Sequence, residues 1–384
     1  EEGKTAEDYL VTADSAVTAN TGEIFSIGGA VGVNKGEANL LNSTGVTNGR
    51  SGTDAYNVDK NVGGVVGLNA GTMVSLYNES IVMGKDNVGG VAGTNEGNMS
   101  NAVNATSVTA DGTTYGDTDD EKAKGNVGGI AGSNSGEITG ESNLINEGAI
   151  TGVQFVGGIA GQNSGEIRGG NAEDQRLTNK ASINGTQYVG GIAGQNTGTI
   201  ENTNAESKIN AVDGKLDHES ENLEKQFFGG VTGENIGSID NATNTANLRI
   251  KGGKFVGGIT GRNSKIIGDD GEIIAEGEFK GKLVNKGAVY GDSNVGGIAG
   301  MNQADNVLVG TKEEKLIVSN ENTVEAENGG AAGIFHTNNG TIEYAEISNS
   351  GMIKGNESGG SGGENTGALF GVNTGKITNS TLKN

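Results

Sequence analysis

The side chains best suited to hold a metal ion lie in two acidic segments. Residues 269–272 form one segment, and the calcium candidates in the other are Asp117, Asp119, Asp120 and Glu121. Carboxylate oxygens are ligands that Ca²⁺ prefers. Neither segment has the spacing of an EF-hand loop or the aspartate-bearing nonapeptide repeats of calcium-binding β-rolls. A solvated acidic loop is therefore the favoured interpretation of both, and we expect no cofactor.

Catalytic side chains other than carboxylates are scarce. The chain has no cysteine, its two histidines are His218 and His336, and it lacks the H-E-x-x-H motif of zinc peptidases. His218 stands in a charged segment typical of a solvated loop, and His336 is expected to fill a packing position. The acidic residues are scattered, and no tryptophan is available to stack on a sugar. We predict no catalysis; the alternative is a carbohydrate-active β-helix, a polysaccharide lyase or hydrolase.

The composition disfavours several classes of partner. The formal net charge is −22, whereas nucleic-acid binding needs clustered Lys and Arg. No run of about 18 apolar residues is present, so we expect no membrane insertion. The chain has 72 glycines, and only 33% of its residues are hydrophobic, too few for several ordinary cores. The apolar residues are nevertheless periodic, which disorder does not require.

A glycine-rich unit recurs along the chain and must position these side chains. Residues 156–167 read Val-Gly-Gly-Ile-Ala-Gly-Gln-Asn-Ser-Gly-Glu-Ile, and about eleven copies are recognisable. The asparagines aligned in these copies are Asn34, Asn69, Asn95, Asn134, Asn163, Asn196, Asn235, Asn263, Asn302, Asn338 and Asn373. Periods of about 20–50 residues indicate stacked or circular repeats, and glycine at this density opposes helices. The sequence predicts an all-β fold: a single elongated β-solenoid, a right-handed parallel β-helix of about eleven coils with loop insertions.

Equivalent positions of successive coils should stack as columns. When the copies are aligned, residues of the same type follow one another within a column from repeat to repeat. In one column, Glu234 is followed one repeat later by the oppositely charged Arg262. The column that precedes the unit changes from asparagine to an aromatic block, which consists of Phe155, Tyr188, Phe227 and Phe255. This block-wise change predicts that the copies lie directly on one another.

The aligned asparagines are predicted to form a structural ladder, in which each side-chain amide bonds to the copies above and below. Most of them begin Asn-x-Gly, which suits a tight corner with positive φ. Alternation within the unit places Ile159, Gly161 and Asn163 on the core side of the strand, and Ala160 and Gln162 on the other side. These columns therefore serve the scaffold rather than a ligand site.

A second asparagine recurs between the units, with an aliphatic residue four positions later. Its copies include Asn42, Asn104, Asn146, Asn179, Asn244, Asn285 and Asn349. Some of these asparagines begin glycosylation sequons, but their repeat positions favour a structural role. Repeat length varies at two places in the coil, which predicts inserted loops near residues 50–61, 111–125, 211–227 and 264–281.

The unit resembles the GLUG motif of bacterial surface proteins and of non-catalytic regions of IgA-specific metallopeptidases, and the resemblance extends over residues 24–378. It implies an extracellular location at the bacterial cell surface. Three departures predict local irregularity: Lys265 stands where the motif has glycine, residues 303–306 lose the corner, and His336 replaces another glycine.

Residues 1–23 are accordingly expected to form an N-terminal capping or lead-in segment, and residues 24–384 the GLUG-type solenoid. The predicted function is structural or adhesive: a stalk, a surface adhesin module or a fibre subunit. The expected partner is a host or neighbouring-cell surface protein or glycan. Head-to-tail self-assembly is also expected to be possible, because a solenoid exposes sheet edges at uncapped ends. An ice-binding face is a further alternative, disfavoured by the varied column at Gln162.

Overall fold

A computed structural model describes residues 11–14, 17–18, 26–48, 61–110, 125–140, 144–171, 177–206, 208–211, 224–268, 271–356 and 365–384. These residues form strands and turns without a helix, and the strands of successive coils pair in parallel. Equivalent residues of neighbouring repeats face each other, as Ala160 faces Ala193 and Asn163 faces Asn196. The prediction of an all-β solenoid with coils stacked in register is confirmed.

The fifth to eighth residues of each repeat unit form the first sheet, which has eleven strands and so confirms the predicted number of coils. Its strands, numbered along the chain, are β4 (Val31–Asn34), β7 (Val66–Asn69), β10 (Ala92–Asn95), β14 (Ala131–Asn134), β19 (Ala160–Asn163), β24 (Ala193–Asn196), β28 (Thr232–Asn235), β32 (Thr260–Asn263), β38 (Ala299–Asn302), β43 (Phe335–Asn338) and β47 (Phe370–Asn373).

The start of each unit forms the second sheet, which has ten strands. They are β3 (Ser26–Gly28), β6 (Asn61–Gly63), β9 (Asn87–Gly89), β13 (Val127–Gly128), β18 (Gln154–Gly157), β23 (Gln187–Gly190), β27 (Gln226–Gly229), β31 (Lys254–Gly257), β37 (Ser293–Gly296) and β42 (Ala331–Ala332). A bend at the second glycine and the following residue separates the first and second sheets in each coil.

The segments between the units form the third sheet, which reaches 22 strands because most coils contribute more than one. They are β1 (Val11–Asp14), β2 (Val17–Thr18), β5 (Glu37–Asn48), β8 (Thr72–Gly84), β11 (Asn98–Asn104), β12 (Val108–Ala110), β15 (Glu137–Gly140), β16 (Ile145–Asn146), β17 (Ile150–Thr151), β20 (Glu166–Gly169), β21 (Leu177–Asn179), β22 (Ser182–Gly185), β25 (Thr199–Ala205), β26 (Lys208–Ala211), β29 (Ser238–Asn244), β35 (Glu278–Asn285), β39 (Asn306–Val309), β40 (Leu316–Asn320), β44 (Thr341–Glu343), β45 (Ala345–Asn349), β48 (Ile377–Thr378) and β49 (Thr381–Lys383). The strands β1 and β2, from the predicted lead-in segment, pair with β5.

The described residues also form two small sheets. A four-stranded parallel sheet contains β30 (Leu248–Arg249), β36 (Val289–Gly291), β41 (Val324–Ala326) and β46 (Ile353–Lys354). The other sheet is the hairpin formed by β33 (Lys265–Ile267) and β34 (Ile273–Glu276), which is the one antiparallel pair among the described strands.

Two hydrophobic clusters hold the coils together. The larger contains the columns at Ile159 and Ala160 together with the Ile167 column of the third sheet. The smaller contains the columns at Val156 and Ile150. Because each column repeats an aliphatic residue in nearly every coil, the core is continuous through the stack.

The predicted alternation of faces within the unit is wrong at Ala160. Ile159 and Ala160 are both fully buried in the larger cluster, whereas Gln162 is half-buried. The chain bends at Gly158 and Ile159 before the strand β19 begins, so strict alternation does not extend across that point. The assignment of Ile159 and Asn163 to the buried side is confirmed.

The expectation of positive φ at the Asn-x-Gly corner is also wrong. The corner glycines, such as Gly165, do not have positive φ; a Cβ on Gly165 would instead lie 2.0 Å from the carbonyl oxygen of Gly136 in the preceding coil. Glycine is therefore required here because two backbones approach closely.

Positive φ occurs at two other columns. One is the aromatic column and its neighbour Asn294, with φ between 49° at Phe155 and 62° at Phe227. The other column consists of Leu40, Ser75, Asn101, Asn202, Asn241, Tyr344 and Asn379. Asparagine adopts this conformation at low cost, whereas an aromatic residue there is strained. The stacked coils must hold the aromatic residues in this conformation.

Candidate functional site

The eleven aligned asparagines form one unbroken ladder. Each Nδ2 donates to the Oδ1 of the next asparagine, at 2.7–3.0 Å, through all ten steps from Asn34 to Asn373. Most of the same amides also donate to a corner carbonyl two residues ahead, as Asn163 does to Gly165. Nine of the asparagines are almost fully buried, so their amides are committed to the scaffold. This result agrees with the predicted ladder.

The second asparagine column forms a ladder in two parts. Bonds of 2.7–2.9 Å connect Asn78 through Asn104 and Asn146 to Asn179, and connect Asn244 to Asn384. The two parts are separated at Ala205, which faces Asn179 on one side and Asn244 on the other. Because Ala205 has no side-chain amide, Asn179 Nδ2 donates instead to the carbonyl of Gly191 at 2.7 Å.

The assignment of Asn42 to this column is wrong. Asn42 faces Tyr77, and Ser43 faces Asn78, so the column passes through the following residue. Asn42 lies eight residues after Asn34, whereas Asn78 lies nine residues after Asn69, so strands that pair in register place Ser43 opposite Asn78. Asn104 begins a glycosylation sequon, Asn104-Ala105-Thr106, and its buried amide is bonded to Asn146 and to the carbonyl of Thr106.

The aromatic column is a stack of rings along the solenoid. Successive ring centroids from Phe155 to Phe255 lie 4.9–5.3 Å apart, and the rings are inclined by 18–25°. Because the ring faces cover one another, the stack offers mainly ring edges to a ligand. The guanidinium carbon of Arg262 lies 4.1 Å from the centroid of Phe227. Burial, followed by the charge of Glu234, raises the pKa of Tyr188.

A buried ion pair lies beside this stack, as the opposite charges of neighbouring coils predicted. The guanidinium of Arg262 donates from two nitrogens to one carboxylate oxygen of Glu234, which is 3% exposed. Ser264 Oγ donates to the same oxygen at 2.6 Å, and Gln195 Nε2 donates to the other at 2.9 Å. The carboxylate is thus fully hydrogen-bonded, which makes it a structural element.

Two carboxylates face each other on the outer side of the third sheet. Glu201 is the register neighbour of Asp240, with Arg168 one coil before them and Lys280 one coil after. Burial raises the pKa of Asp240, and its Oδ1 makes no hydrogen bond. The two cations are bonded elsewhere: Arg168 to Glu137 and Glu166, and Lys280 to Glu278.

A surface groove of about 560 Å³ runs across four coils. It is lined by Lys225, Lys251, Gly252, Asp292, Glu327 and Asn328. Asn328 donates to the Asp292 carboxylate, and the hydrogen bond to Glu327 raises the pKa of Tyr290 to about 12. Opposite charges line this groove, so it suits a polar ligand better than an apolar one.

The calcium candidates Asp117, Asp119, Asp120 and Glu121 lie outside the described residues, as does His218. Within the described part of the chain, no group of three or more His, Asp or Glu side chains is arranged to hold a metal ion. The described residues also contain no helix with the length and apolar composition of a membrane span.

The predicted irregularity at Lys265 has a specific form. The hairpin is inserted between Ser264 and Gly277, and Gly277 takes the place of the motif glycine: Asn263 Nδ2 donates to its carbonyl at 2.8 Å. The ladder therefore continues undisturbed to Asn302. The corner thus keeps its regular hydrogen bonds although a hairpin is inserted within it.

The corner expected to be lost at residues 303–306 is preserved, although the expected irregularity follows it, because the register of β39 against β44 shifts between Asn306 and Leu308. Gln303 N donates to the carbonyl of Asn263, and Ala304 N donates to Asn302 Oδ1, as in the regular corners. Ala304 is fully buried and occupies the glycine position.

The hairpin exposes apolar residues that the repeat pattern does not predict. Its four isoleucines, Ile266, Ile267, Ile273 and Ile274, are 41–70% exposed. The available signal was two isoleucine pairs on either side of Gly-Asp-Asp-Gly, since Asp-Gly between apolar runs is typical of a hairpin.

The comparison with protein families agrees with the geometry of the coil. A family model described as the GLUG motif matches residues 185–210, which run from the end of β22 through the repeat unit to β26. The chain carries a GLUG motif. No curated protein and no solved structure matches it. The residues of the matched segment belong to the asparagine ladder, the hydrophobic core and the corner of one coil. All of these are parts of the scaffold.

Proposed function

We propose that this GLUG-motif protein is an extracellular structural or adhesive module of the bacterial cell surface, a stalk, adhesin module or fibre subunit. The observation that carries the proposal is the unbroken asparagine ladder from Asn34 to Asn373. A ladder bonded at every coil, over a continuous core, supports a stiff rod that resists bending and presents inserted segments at fixed positions. The net charge of −22 favours solubility.

Single-molecule force spectroscopy tests the structural role. The chain would be pulled from residues at its two ends. We expect coils to detach one after another at high force, because each coil contacts only its neighbours. Extension at low force without discrete steps would contradict a mechanical role for the solenoid. Light scattering of the same sample tests head-to-tail assembly, which predicts particles longer than one chain.

The adhesive role is tested by displaying the chain on a bacterium that does not otherwise adhere. Attachment to host cells and to arrayed glycans would be counted under flow, with and without the inserted segments. We expect attachment that is lost when the insertions are removed while the ladder remains. Equal attachment by both forms would contradict the assignment of binding to the insertions.

The carboxylate pair on the third sheet supports the second candidate, a carbohydrate-active β-helix. Neighbouring strands lie ~4.8 Å apart, close to the ~5–5.5 Å between the paired carboxylates of retaining glycosidases. Incubation with a panel of polysaccharides, followed by detection of new reducing ends or unsaturated products, tests it. Activity that disappears in Glu201→Gln and in Asp240→Asn would establish this candidate; no product from any substrate would remove it.

A further inference from the structure

The groove of about 560 Å³ is a notch that one short corner leaves between two longer corners. Two register positions bound this corner in each of three successive coils, and they are Leu248 and Val256, then Val289 and Val295, then Val324 and Ala331. These positions are eight, six and seven residues apart in the three coils. The middle corner is therefore the floor of the groove, and the longer corners on either side form its walls.

The first wall is the turn at Lys251 and Gly252. Gly253 N closes this turn by donating to the carbonyl of Ile250 at 3.1 Å, and Gly252 has φ of +74°, which glycine adopts freely. Lys251 is exposed beside the groove and forms no ion pair with any residue that the structure describes. Lys225, one coil earlier, adds a second positive charge to this side. This wall can therefore hold an anion.

The floor and the second wall carry the negative charges. Asp292 lies on the floor, where its carboxylate accepts a hydrogen bond from Asn328 Nδ2. Glu327 N donates to the carbonyl of Gly291, and Asn328 N donates to the carbonyl of Asp292, both at 2.9 Å. The hydroxyl of Tyr290 is hydrogen-bonded to the Glu327 carboxylate. These bonds fix both carboxylates in place before a ligand arrives, which lowers the entropic cost of binding.

The charges of the groove are separated along the solenoid axis. The two walls belong to coils that are two steps apart, so ~9.6 Å separates them at the usual strand spacing. Lys251 and Glu327 thus stand on opposite walls of a gap that a small polar group can span. An anion alone is repelled by the carboxylates, and a cation alone is repelled by the lysines. A group that carries both charges is attracted at both ends.

We propose that this groove binds a small zwitterionic group, with its anion beside Lys251 and its primary ammonium beside Asp292 and Glu327. A primary ammonium donates charge-assisted hydrogen bonds, which the two carboxylates can accept. Quaternary ammonium groups are instead recognised by aromatic cages, and the described residues that line the groove include no aromatic side chain. This site goes beyond the structural and adhesive function, which assigns binding to the insertions, because its walls are corners of the coils.

The probe is phosphoethanolamine, in which a short alkyl chain joins a phosphate to a primary ammonium. Isothermal titration calorimetry measures its binding to the full chain, alongside inorganic phosphate, ethanolamine and phosphocholine. We expect saturable binding of phosphoethanolamine and at least about tenfold weaker binding of each of the other probes. If inorganic phosphate or ethanolamine bound as tightly as phosphoethanolamine, the groove would recognise a single charge and the proposal would be overturned.

Single variants remove one charge from each wall: Lys251→Gln from the first and Glu327→Gln from the second. The matched control is Lys282→Gln, which removes an exposed lysine from the third sheet. Each wall variant should bind phosphoethanolamine at least about tenfold more weakly, and Lys251→Gln should bind it no better than ethanolamine. The control should bind like the parent chain, and circular dichroism checks that all variants keep the parent fold. Unchanged binding by Lys251→Gln would overturn the proposal.

The same zwitterionic group can come from a lipid head group or from a glycan substituent, and vesicles distinguish these sources. Co-sedimentation with phosphatidylethanolamine vesicles that is lost in Lys251→Gln would identify a lipid head group. Binding of free phosphoethanolamine without co-sedimentation would identify a soluble or glycan-borne group, and either result supports the proposal. If phosphoethanolamine fails to bind, the site is wrong, whereas the attachment of displayed cells through the insertions is tested separately and can still stand.

Discussion

Asn163 Nδ2 donates to Asn196 Oδ1 at 2.7 Å, and Asn196 in turn donates to Asn235 at 2.8 Å. The three amides are at most 1% exposed. Removing Asn196 therefore leaves the buried Asn235 Oδ1 without this donor, and it takes one acceptor from Asn163 Nδ2, which keeps the carbonyls of Gly165 and Thr199. An unsatisfied buried polar group costs roughly 1–3 kcal/mol.

The substitution Asn196→Ala should accordingly lower the free energy of unfolding by ~2–5 kcal/mol. Guanidinium unfolding followed by circular dichroism measures the loss, and hydrogen exchange should place the weakening at the coils on either side. The matched control is Gln154→Ala, which removes a 2.8 Å bond to Gln187 from a half-buried column and should cost ~1 kcal/mol or less. Equal losses would show that the ladder contributes no more than a surface bond.

At the gap in the second ladder, adding an asparagine should raise the free energy of unfolding. Ala205→Asn places an amide between Asn179 and Asn244, where the register already aligns the three residues. In the other coils, the ladder amide lies against the second glycine of a repeat unit, as Asn179 lies against Gly158. The equivalent glycine beside Ala205 is Gly191, so the coil has the same space for an amide. We expect a gain of ~1 kcal/mol in the free energy of unfolding.

Differential scanning calorimetry can measure this gain as a raised Tm. The control is Ala242→Asn, which introduces the same side chain at a fully buried position inside the larger hydrophobic cluster. That variant should lose stability, because its amide has no ladder to join. A loss of stability in Ala205→Asn would indicate that the column cannot accept an amide in this coil.

Much of this fold could be predicted because each column repeats one chemical requirement many times. Asn163, Ile159 and the pair Glu234–Arg262 have repeated or charged neighbours at one fixed offset, so their stacking is visible in the sequence. The backbone at the corners could not be predicted in the same way. Phe155 and Tyr188 adopt positive φ, which neither side chain favours, since the requirement of the stacked coil outweighs the preference of the residue.

The inserted hairpin was only partly predictable. The lengthened repeat near residues 264–281 indicated an insertion, but repeat spacing carries no information about what an insertion does. The role of Gly277 depends on a contact with Asn263 across the inserted hairpin, which local sequence does not contain. Similarly, Asn42 was assigned to a column from its distance to the following aliphatic residue, but it lies one residue closer to its motif asparagine than Asn78 does, so Ser43 takes the column position.

His336 should make the solenoid sensitive to acid. The side chain is 4% exposed, and burial lowers its pKa to about 4. Because this pKa lies below the unfolded value of ~6.5, the folded state favours neutral histidine. The contribution is intact above about pH 6.5, declines as the pH falls towards 4, and then stops changing. The total loss expected from this group is ~3 kcal/mol.

The measurement compares guanidinium unfolding at pH 7.5 and pH 4.5 for the parent chain and for His336→Phe, which keeps an aromatic ring but cannot be protonated. Acid also affects the many carboxylates, so the difference between the two proteins is the relevant quantity. The parent should lose ~2 kcal/mol more than the variant over this interval. Identical losses would mean that His336 is protonated equally well in the folded chain.

The buried pair Glu234–Arg262 permits a mutational cycle that separates charge from packing. Arg262→Gln removes two donors and leaves the Glu234 carboxylate, 3% exposed, without its opposite charge. Breaking one partner of a buried pair typically costs ~3–5 kcal/mol. Replacing both residues with glutamine extends the existing bond between Gln162 and Gln195 along the same column.

We therefore expect Arg262→Gln alone to lower the free energy of unfolding by ~3 kcal/mol, and Glu234→Gln with Arg262→Gln to remain within ~1 kcal/mol of the parent. Guanidinium unfolding of the parent, the two single variants and the double variant gives the coupling energy between the two residues. Arg262 also covers the ring of Phe227, so a part of its contribution should persist when the charge of Glu234 is absent. If the double variant were as unstable as Arg262→Gln, the main contribution of Arg262 would be this ring contact, and the ion pair would be secondary.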